Sequence, residues 1–134
     1  MSQENVELVQ KFVEATNRRD ADAFVANLSP DVEWEDTLFW TEGPRTYRGR
    51  AGVRKWLDEI QGPWEDLHLE VDEIVETSDG RLLVEFGLSA RGRVSGADTQ
   101  LRFWTVLWLA DGMVTRRRSF HEEAAALKAA GLED

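Results

Sequence analysis

The side chains of this sequence best suited to chemistry collect on two short stretches. Asp31 to Asp36 alternates in character, with Val32, Trp34 and Asp36 on one face and Glu33 and Glu35 on the other. That is the pattern of a β-strand with one wet side. An acid on the apolar face, next to a tryptophan, is a candidate pocket acid, because a desolvated carboxylate suits a general base or acid. The plainer alternative is a strand-end aspartate that caps or pairs with a nearby arginine. The second stretch, Thr115 to His121, places Arg117, Ser119 and His121 on one face and Arg116, Arg118 and Phe120 on the other. Turned inward, the first three would offer a guanidinium, a hydroxyl and an imidazole to an acidic or oxygenated ligand. His121 meeting Asp36 across a cavity would form an acid–base pair. A slip of one residue would turn all three outward, leaving the arginines as a solvated patch and His121 as a surface histidine.

Aromatic residues form the next set. Six Trp and six Phe stand against one Tyr. Most are expected in the core, with a minority lining a cavity for an apolar ligand. The candidates for that lining are Phe12, Trp34, Trp40, Trp56, Phe86, Trp104 and Trp108. Arg102 shares parity with Trp104, Val106 and Trp108 and is expected to enter the cavity with them. His68 lies out of phase with Leu69 and Val71 and is expected to face solvent. The chain has no cysteine and no His-x-x-x-His pair, so neither a specific metal site nor a cofactor is expected.

The elements that must position these residues read as helix, helix, strand, helix, then four meandering strands. Ser2 caps a first helix in which Val6, Val9, Val13 and Thr16 keep helical spacing, with Phe12 beside them. Asp20 caps a second, short helix carrying Phe24, Val25 and Leu28, and Ser29-Pro30 ends it. The stretch 37–49 reads as an apolar loop holding Leu38, Phe39, Trp40 and Tyr47. A third helix runs from Ala51 to Ile60 with Val53, Trp56, Leu57 and Ile60 on one stripe. Leu67, Leu69 and Val71 alternate and Ile74 falls out of phase, which predicts a bulge near Asp72-Glu73. Ser78-Asp79-Gly80 is a hairpin signal before 82–90, where Val84, Phe86, Leu88 and Ala90 share a face. The stretch 100–109 is apolar on both faces and is expected to be central, with Leu101, Phe103, Thr105, Leu107 and Leu109 outward. Ala110-Asp111-Gly112 turns into a last strand, and Glu122 to Ala130 forms a closing helix. Helices leading into an antiparallel sheet make this α+β.

The 134 residues fit one domain, 1–134. The net charge of −10 would repel nucleic acid and anionic lipid. The N-terminal stretch has no signal-peptide pattern and no apolar run approaches a membrane span, so a cytoplasmic setting is expected.

Four segments carry a resemblance: ENVELVQKFVEATNRRDADAF, SPDVEWED, YRGRAGVRKWL and RFWTVLWLADGMV. Together with the closing ALKAAGL, they resemble the SnoaL-like branch of the nuclear transport factor 2-like superfamily, whose members include ketosteroid isomerase, scytalone dehydratase and limonene epoxide hydrolase. The resemblance implies a cone-shaped curved antiparallel sheet wrapped by N-terminal helices around a pocket, a cystatin-like or ketosteroid isomerase-like α+β barrel. It implies that Asp36 stands where the isomerase's proton-shuttling acid stands. The isomerase's oxyanion-hole tyrosine and protonated aspartate correspond to Phe12 and Trp104, so that mechanism lacks its donors here. The Asp-Arg-Asp set of the epoxide hydrolase has no counterpart. The resemblance further implies a small-molecule ligand and a homodimer through the sheet face. The functional expectation is a cofactor-independent isomerase, dehydratase, cyclase or hydrolase with Asp36, Arg117 and His121 as catalytic residues and Ser119 among the ligand contacts. The alternatives are a non-catalytic binder and a dimeric interaction module.

Overall fold

The structure, a computed structural model, describes residues 2–37 and 43–132. Helix α1 (Gln3–Arg18) starts where the Ser2 hydroxyl accepts the Asn5 N–H, satisfying one of the otherwise orphaned first-turn donors. Arg19 ends it in the left-handed conformation, and its guanidinium reaches across to the carbonyls of Gln61 and Trp64. Asp20 caps the short α2 (Ala21–Val25). The chain then enters β1 (Leu28–Asp36), and β2 (Arg45–Arg48) pairs back on it antiparallel. The stretch expected to be loop throughout therefore contains a strand, and Trp40 lies outside the described residues. Helix α3 (Gly49–Gln61) buries Val53, Trp56, Leu57 and Ile60, the stripe its spacing predicts.

Strands β3 (His68–Glu76), β4 (Leu82–Arg91), β5 (Asp98–Ala110) and β6 (Met113–Phe120) complete one six-stranded sheet in the order β2-β1-β6-β5-β4-β3. All neighbours are antiparallel except β1 and β6, which run parallel and bring Trp34 opposite Arg117. The phase break in β3 is a register shift between Val71 and Glu73. Helices α1 to α3 cover the concave face, where Val9, Phe12, Trp56 and Leu57 meet Val32, Trp34, Val84, Phe86 and Phe103. The mixed α+β architecture and the curved sheet agree with the sequence reading.

A second register shift was not foreseen. Asp111 (φ 53°) and Gly112 (φ 75°) make the two-residue turn that their sequence predicts, pairing Ala110 with Met113 and Leu109 with Val114. Between Trp108 and Leu109 the pairing then slips by one, so that Trp108 faces Arg116 and Leu107 faces Arg117. Thr115 is the extra residue, and its hydroxyl donates to the Trp108 carbonyl at 3.2 Å. An unbulged ladder would have put Val106, Trp104 and Trp108 on the Arg117 face. With the bulge, Phe103, Thr105 and Leu107 occupy that face, and the expected orientation of β5 is reversed. The true outer face carries Val106 and Leu83, onto which α4 (Glu123–Ala129) lays Ala126 and Ala130.

The edge strand β3 is tied to the end of α1 by one side chain. Asn17 Nδ2 donates to the Leu69 carbonyl at 3.0 Å, and Asn17 Oδ1 accepts the Leu69 N–H at 2.7 Å. Asn17→Ala removes both bonds and is expected to cost about 1–2 kcal/mol in urea unfolding, with the denaturant slope unchanged.

Candidate functional site

The concave face encloses a cavity of about 70 Å³. Its walls are apolar side chains from every layer: Val9 and Phe12 of α1, Phe24 of α2, Trp56, Leu57 and Ile60 of α3, and Phe86, Phe103 and Leu107 of the sheet. Leu67, Leu69 and Leu88 complete the apolar wall. Trp34, Thr16, Thr105 and Arg117 also line it. Four rings pass contact along one side, with centroids 5.0 Å apart for Phe12–Phe24, 5.6 Å for Phe24–Trp34 and 5.2 Å for Trp34–Trp56. Phe86 and Phe103 stack at 5.2 Å on the other side.

Arg117 is the charged group on this surface, and it is buried. Its Nη1 donates to the Glu35 carbonyl at 2.9 Å. Its guanidinium carbon lies 4.9 Å from the Trp34 ring centre and 5.0 Å from that of Trp56, within the range where a cation is attracted by a ring face. The counter-ion is Asp36, whose Oδ1 stands 3.7 Å from Nη1, an ion-pair separation longer than a direct hydrogen bond.

Asp36 is wholly buried behind this wall and is not part of the cavity surface. Oδ2 accepts the Trp56 indole N–H at 2.9 Å, and Oδ1 accepts the Ser119 hydroxyl at 3.1 Å. Ser119 Oγ in turn accepts the Thr37 N–H at 3.3 Å. Asp36 thus ties α3, β1 and β6 together and sets the guanidinium against the cavity. Burial lowers the pKa of Arg117, opposed by the nearby charges of Asp36 and Glu35. With the folded value below the unfolded one, the unfolded chain binds the proton more readily. The buried cation is then a fixed cost at neutral pH, relieved only as pH rises through the lowered value.

Of the residues expected in the pocket, Phe12, Trp34, Trp56, Phe86 and Arg117 line the cavity, and Asp36 and Ser119 sit directly behind it. Trp104, Trp108, Arg102 and His121 do not come together with them. Trp104 and Trp108 lie on the opposite face, packed toward α4, because of the bulge at Thr115. Arg102 is exposed there and pairs with Glu85 at 3.4 Å. His121 is exposed beyond the end of β6, where strand alternation no longer applies, so no Asp36–His121 pair forms. Phe103, Thr105 and Leu107 were among the lining residues missed, and the count of residues around the Asp111-Gly112 turn carries no sign of the bulge that brings them inward. Among the described residues, no group of three or more His, Cys, Asp or Glu could hold a metal ion. No helix among them is long and apolar enough to cross a membrane.

Comparison with known proteins bears on the whole arrangement. The family model for the SnoaL-like domain matches residues 9–117. The chain belongs to the SnoaL-like family. This SnoaL-like chain also shares its fold with many solved structures. A nuclear transport factor 2-like protein of unknown function from Burkholderia pseudomallei is 24% identical, with a TM-score of 0.78 over 96% of this chain and 97% of that one. A candidate isomerase from Bacillus subtilis is 15% identical, with a TM-score of 0.79 over 99% and 98%. A candidate SnoaL-like polyketide cyclase from Jannaschia sp. CCS1 is 18% identical, with a TM-score of 0.76 over 100% and 98%. No curated protein matches the sequence significantly.

Removing one member of a buried pair strands the other charge. Asp36→Asn is expected to destabilise the SnoaL-like domain by about 3 kcal/mol in chemical denaturation. The double variant Asp36→Asn/Arg117→Met should recover part of that loss, giving a coupling energy in a double-mutant cycle that independent sites would not show.

Proposed function

We propose that the cavity is a ligand site for a small, largely apolar molecule carrying an oxygen, which accepts a hydrogen bond from Arg117. The observation that carries this reading is a buried guanidinium on a predominantly apolar cavity wall. A buried arginine is expensive, and one that served packing alone would be replaced by an apolar side chain at no loss of stability. Asp36 acts here as the anion that holds and neutralises Arg117. Its two oxygens are engaged by Trp56 and Ser119 and are screened from the cavity, which argues for positioning over direct proton abstraction.

A second reading, acid–base catalysis without a cofactor, is favoured by the same guanidinium. A preorganised cation in a dry site stabilises an oxyanion as charge develops, a contribution worth 10² or more in rate in other enzymes. Isomerisation, dehydration, cyclisation and hydrolysis all pass through such charge, and similar structures include the candidate isomerase and cyclase named above. In this reading Arg117 polarises the oxygen and Asp36 tunes it.

We also propose a homodimer through the convex sheet face. Trp104, Trp108 and Phe120 remain only partly buried there beside α4, and the Trp104 indole N–H is buried without a partner among the described residues. Sedimentation at micromolar concentration is expected to give twice the chain mass of 15.3 kDa, and Trp108→Glu to return the monomer. A native monomer would refute this arrangement.

The ligand reading is tested by a two-dimensional NMR screen of small ketones, esters and alcohols against the whole chain. Hits are expected to shift the Trp34 and Trp56 indole signals, and Leu88→Phe, which fills the cavity from its partly exposed rim, should abolish those shifts. Shifts that survive Leu88→Phe would place binding elsewhere. Turnover of any hit, lowered about 10²-fold by Arg117→Lys, would favour the enzyme over the binder.

A further inference from the structure

The cavity wall contains two polar groups that the fold leaves unused. Thr105 is 3% exposed and lines the cavity, yet its hydroxyl has no hydrogen-bond partner among the described residues. Trp34, also 3% exposed and also lining, carries an indole N–H in the same condition. A buried polar group without a partner is uncommon in folded proteins and costs stability that nothing nearby returns. The contrast with Thr16, the other threonine on the wall, is direct: its hydroxyl is spent on the Phe12 carbonyl at 2.8 Å.

Two further facts restrict what could meet these groups. All three polar functions offered by Arg117, Trp34 and Thr105 are able to donate, and the first two can do nothing else. The charges of the site already balance, one guanidinium against one carboxylate 3.7 Å away. A ligand carboxylate would bring a second anion beside Asp36 in a region of low dielectric, where like charges repel strongly. A ligand hydroxyl could still be met, because the hydroxyl oxygens of Thr105 and Thr16 accept as well as donate, whereas a cationic amine would bring a second positive charge beside Arg117. What fits is a neutral molecule with an oxygen that accepts hydrogen bonds.

From these observations, and resting on the ligand reading above, we infer that Thr105 and Trp34 are specificity-determining contacts that hold the oxygen of a neutral carbonyl compound, while the charge of Asp36 disfavours acids. Size narrows the class further. The cavity of about 70 Å³ is roughly half the 150 Å³ of an engineered dry cavity that takes up benzene. The undistorted site therefore suits a ketone or ester fragment of about five heavy atoms.

The test uses the full chain and three probes: butanone and propionate, which are matched in size, and xenon, which reports an apolar cavity irrespective of polarity. Binding is followed through the indole N–H signals, with Trp34 assigned by its loss in Trp34→Phe. Butanone is expected to bind in the millimolar range and at least tenfold more tightly than propionate. Thr105→Val keeps the side-chain shape and removes the hydroxyl. It should weaken butanone about five- to tenfold, the loss of one neutral hydrogen bond, and leave xenon binding intact. Equal affinity for butanone and propionate would overturn the inference, as would an unchanged butanone affinity in Thr105→Val. Xenon binding in either of those cases would leave the cavity reading standing. Absence of both xenon and butanone binding would overturn both readings together.

Discussion

The buried pairing of Asp36 with Arg117 is the constraint around which this domain is arranged. Each ion gives up several kcal/mol of hydration on burial, and their mutual attraction offsets that cost only where the remaining hydrogen-bonding capacity is filled. The fold fills it from three directions. Trp56 comes from α3, Ser119 from β6, and the Glu35 carbonyl from β1. The faces of Trp34 and Trp56 then stand in for water around the guanidinium. The parallel contact of β1 with β6 is thereby held to one register. A one-residue slip would carry Arg117 to the outer face and leave Asp36 ionised in the core without its counter-ion.

This arrangement divides the tryptophans by task. Trp34 and Trp56 face the cavity, where their rings screen a charge; the Trp56 N–H is spent on Asp36, and the Trp34 N–H has no partner among the described residues. Trp104 and Trp108 face the other way, and Arg116 lies 4.7 Å from the Trp108 ring centre among the acid–base pairs of the convex side. One sheet therefore presents two aromatic surfaces of different character. The concave one is largely apolar and covered by helices; the convex one is only partly covered by α4.

Much of the fold was legible because local signals agreed with one another. The Ser2 and Asp20 caps, the Val53-Trp56-Leu57-Ile60 stripe, the bulge near Asp72 and the Asp111-Gly112 turn each follow from residue chemistry that acts over a few positions. The placement of Asp36, Trp34 and Arg117 was legible for the same reason, since parity holds within each strand and the register shift between β1 and β6 falls earlier, between Leu28 and Glu33. Strand β2 was hidden in an apolar stretch with no alternation of its own, because its pairing on β1 is a tertiary fact. The orientation of β5 was illegible for a sharper reason. Its two faces are equally apolar, so burial supplies no preference, and the decision falls to a bulge in a neighbouring strand that nothing in β5 announces. His121 failed in a third way: alternation was extended one residue past the end of the strand that gave it meaning.

The bulge at Thr115 has the effect of a reading frame. Because side chains alternate, one supernumerary residue in β6 decides which half of a thirteen-residue strand becomes the lining of the cavity and which half its exterior. In the frame adopted, the cavity receives a stacked phenyl ring, a lone hydroxyl and a leucine. In the other it would receive two indoles and a valine. An insertion or deletion at that one position would therefore exchange an entire wall in a single step, without substituting any residue of that wall, a route to new pocket chemistry unlike the gradual replacement of contacts.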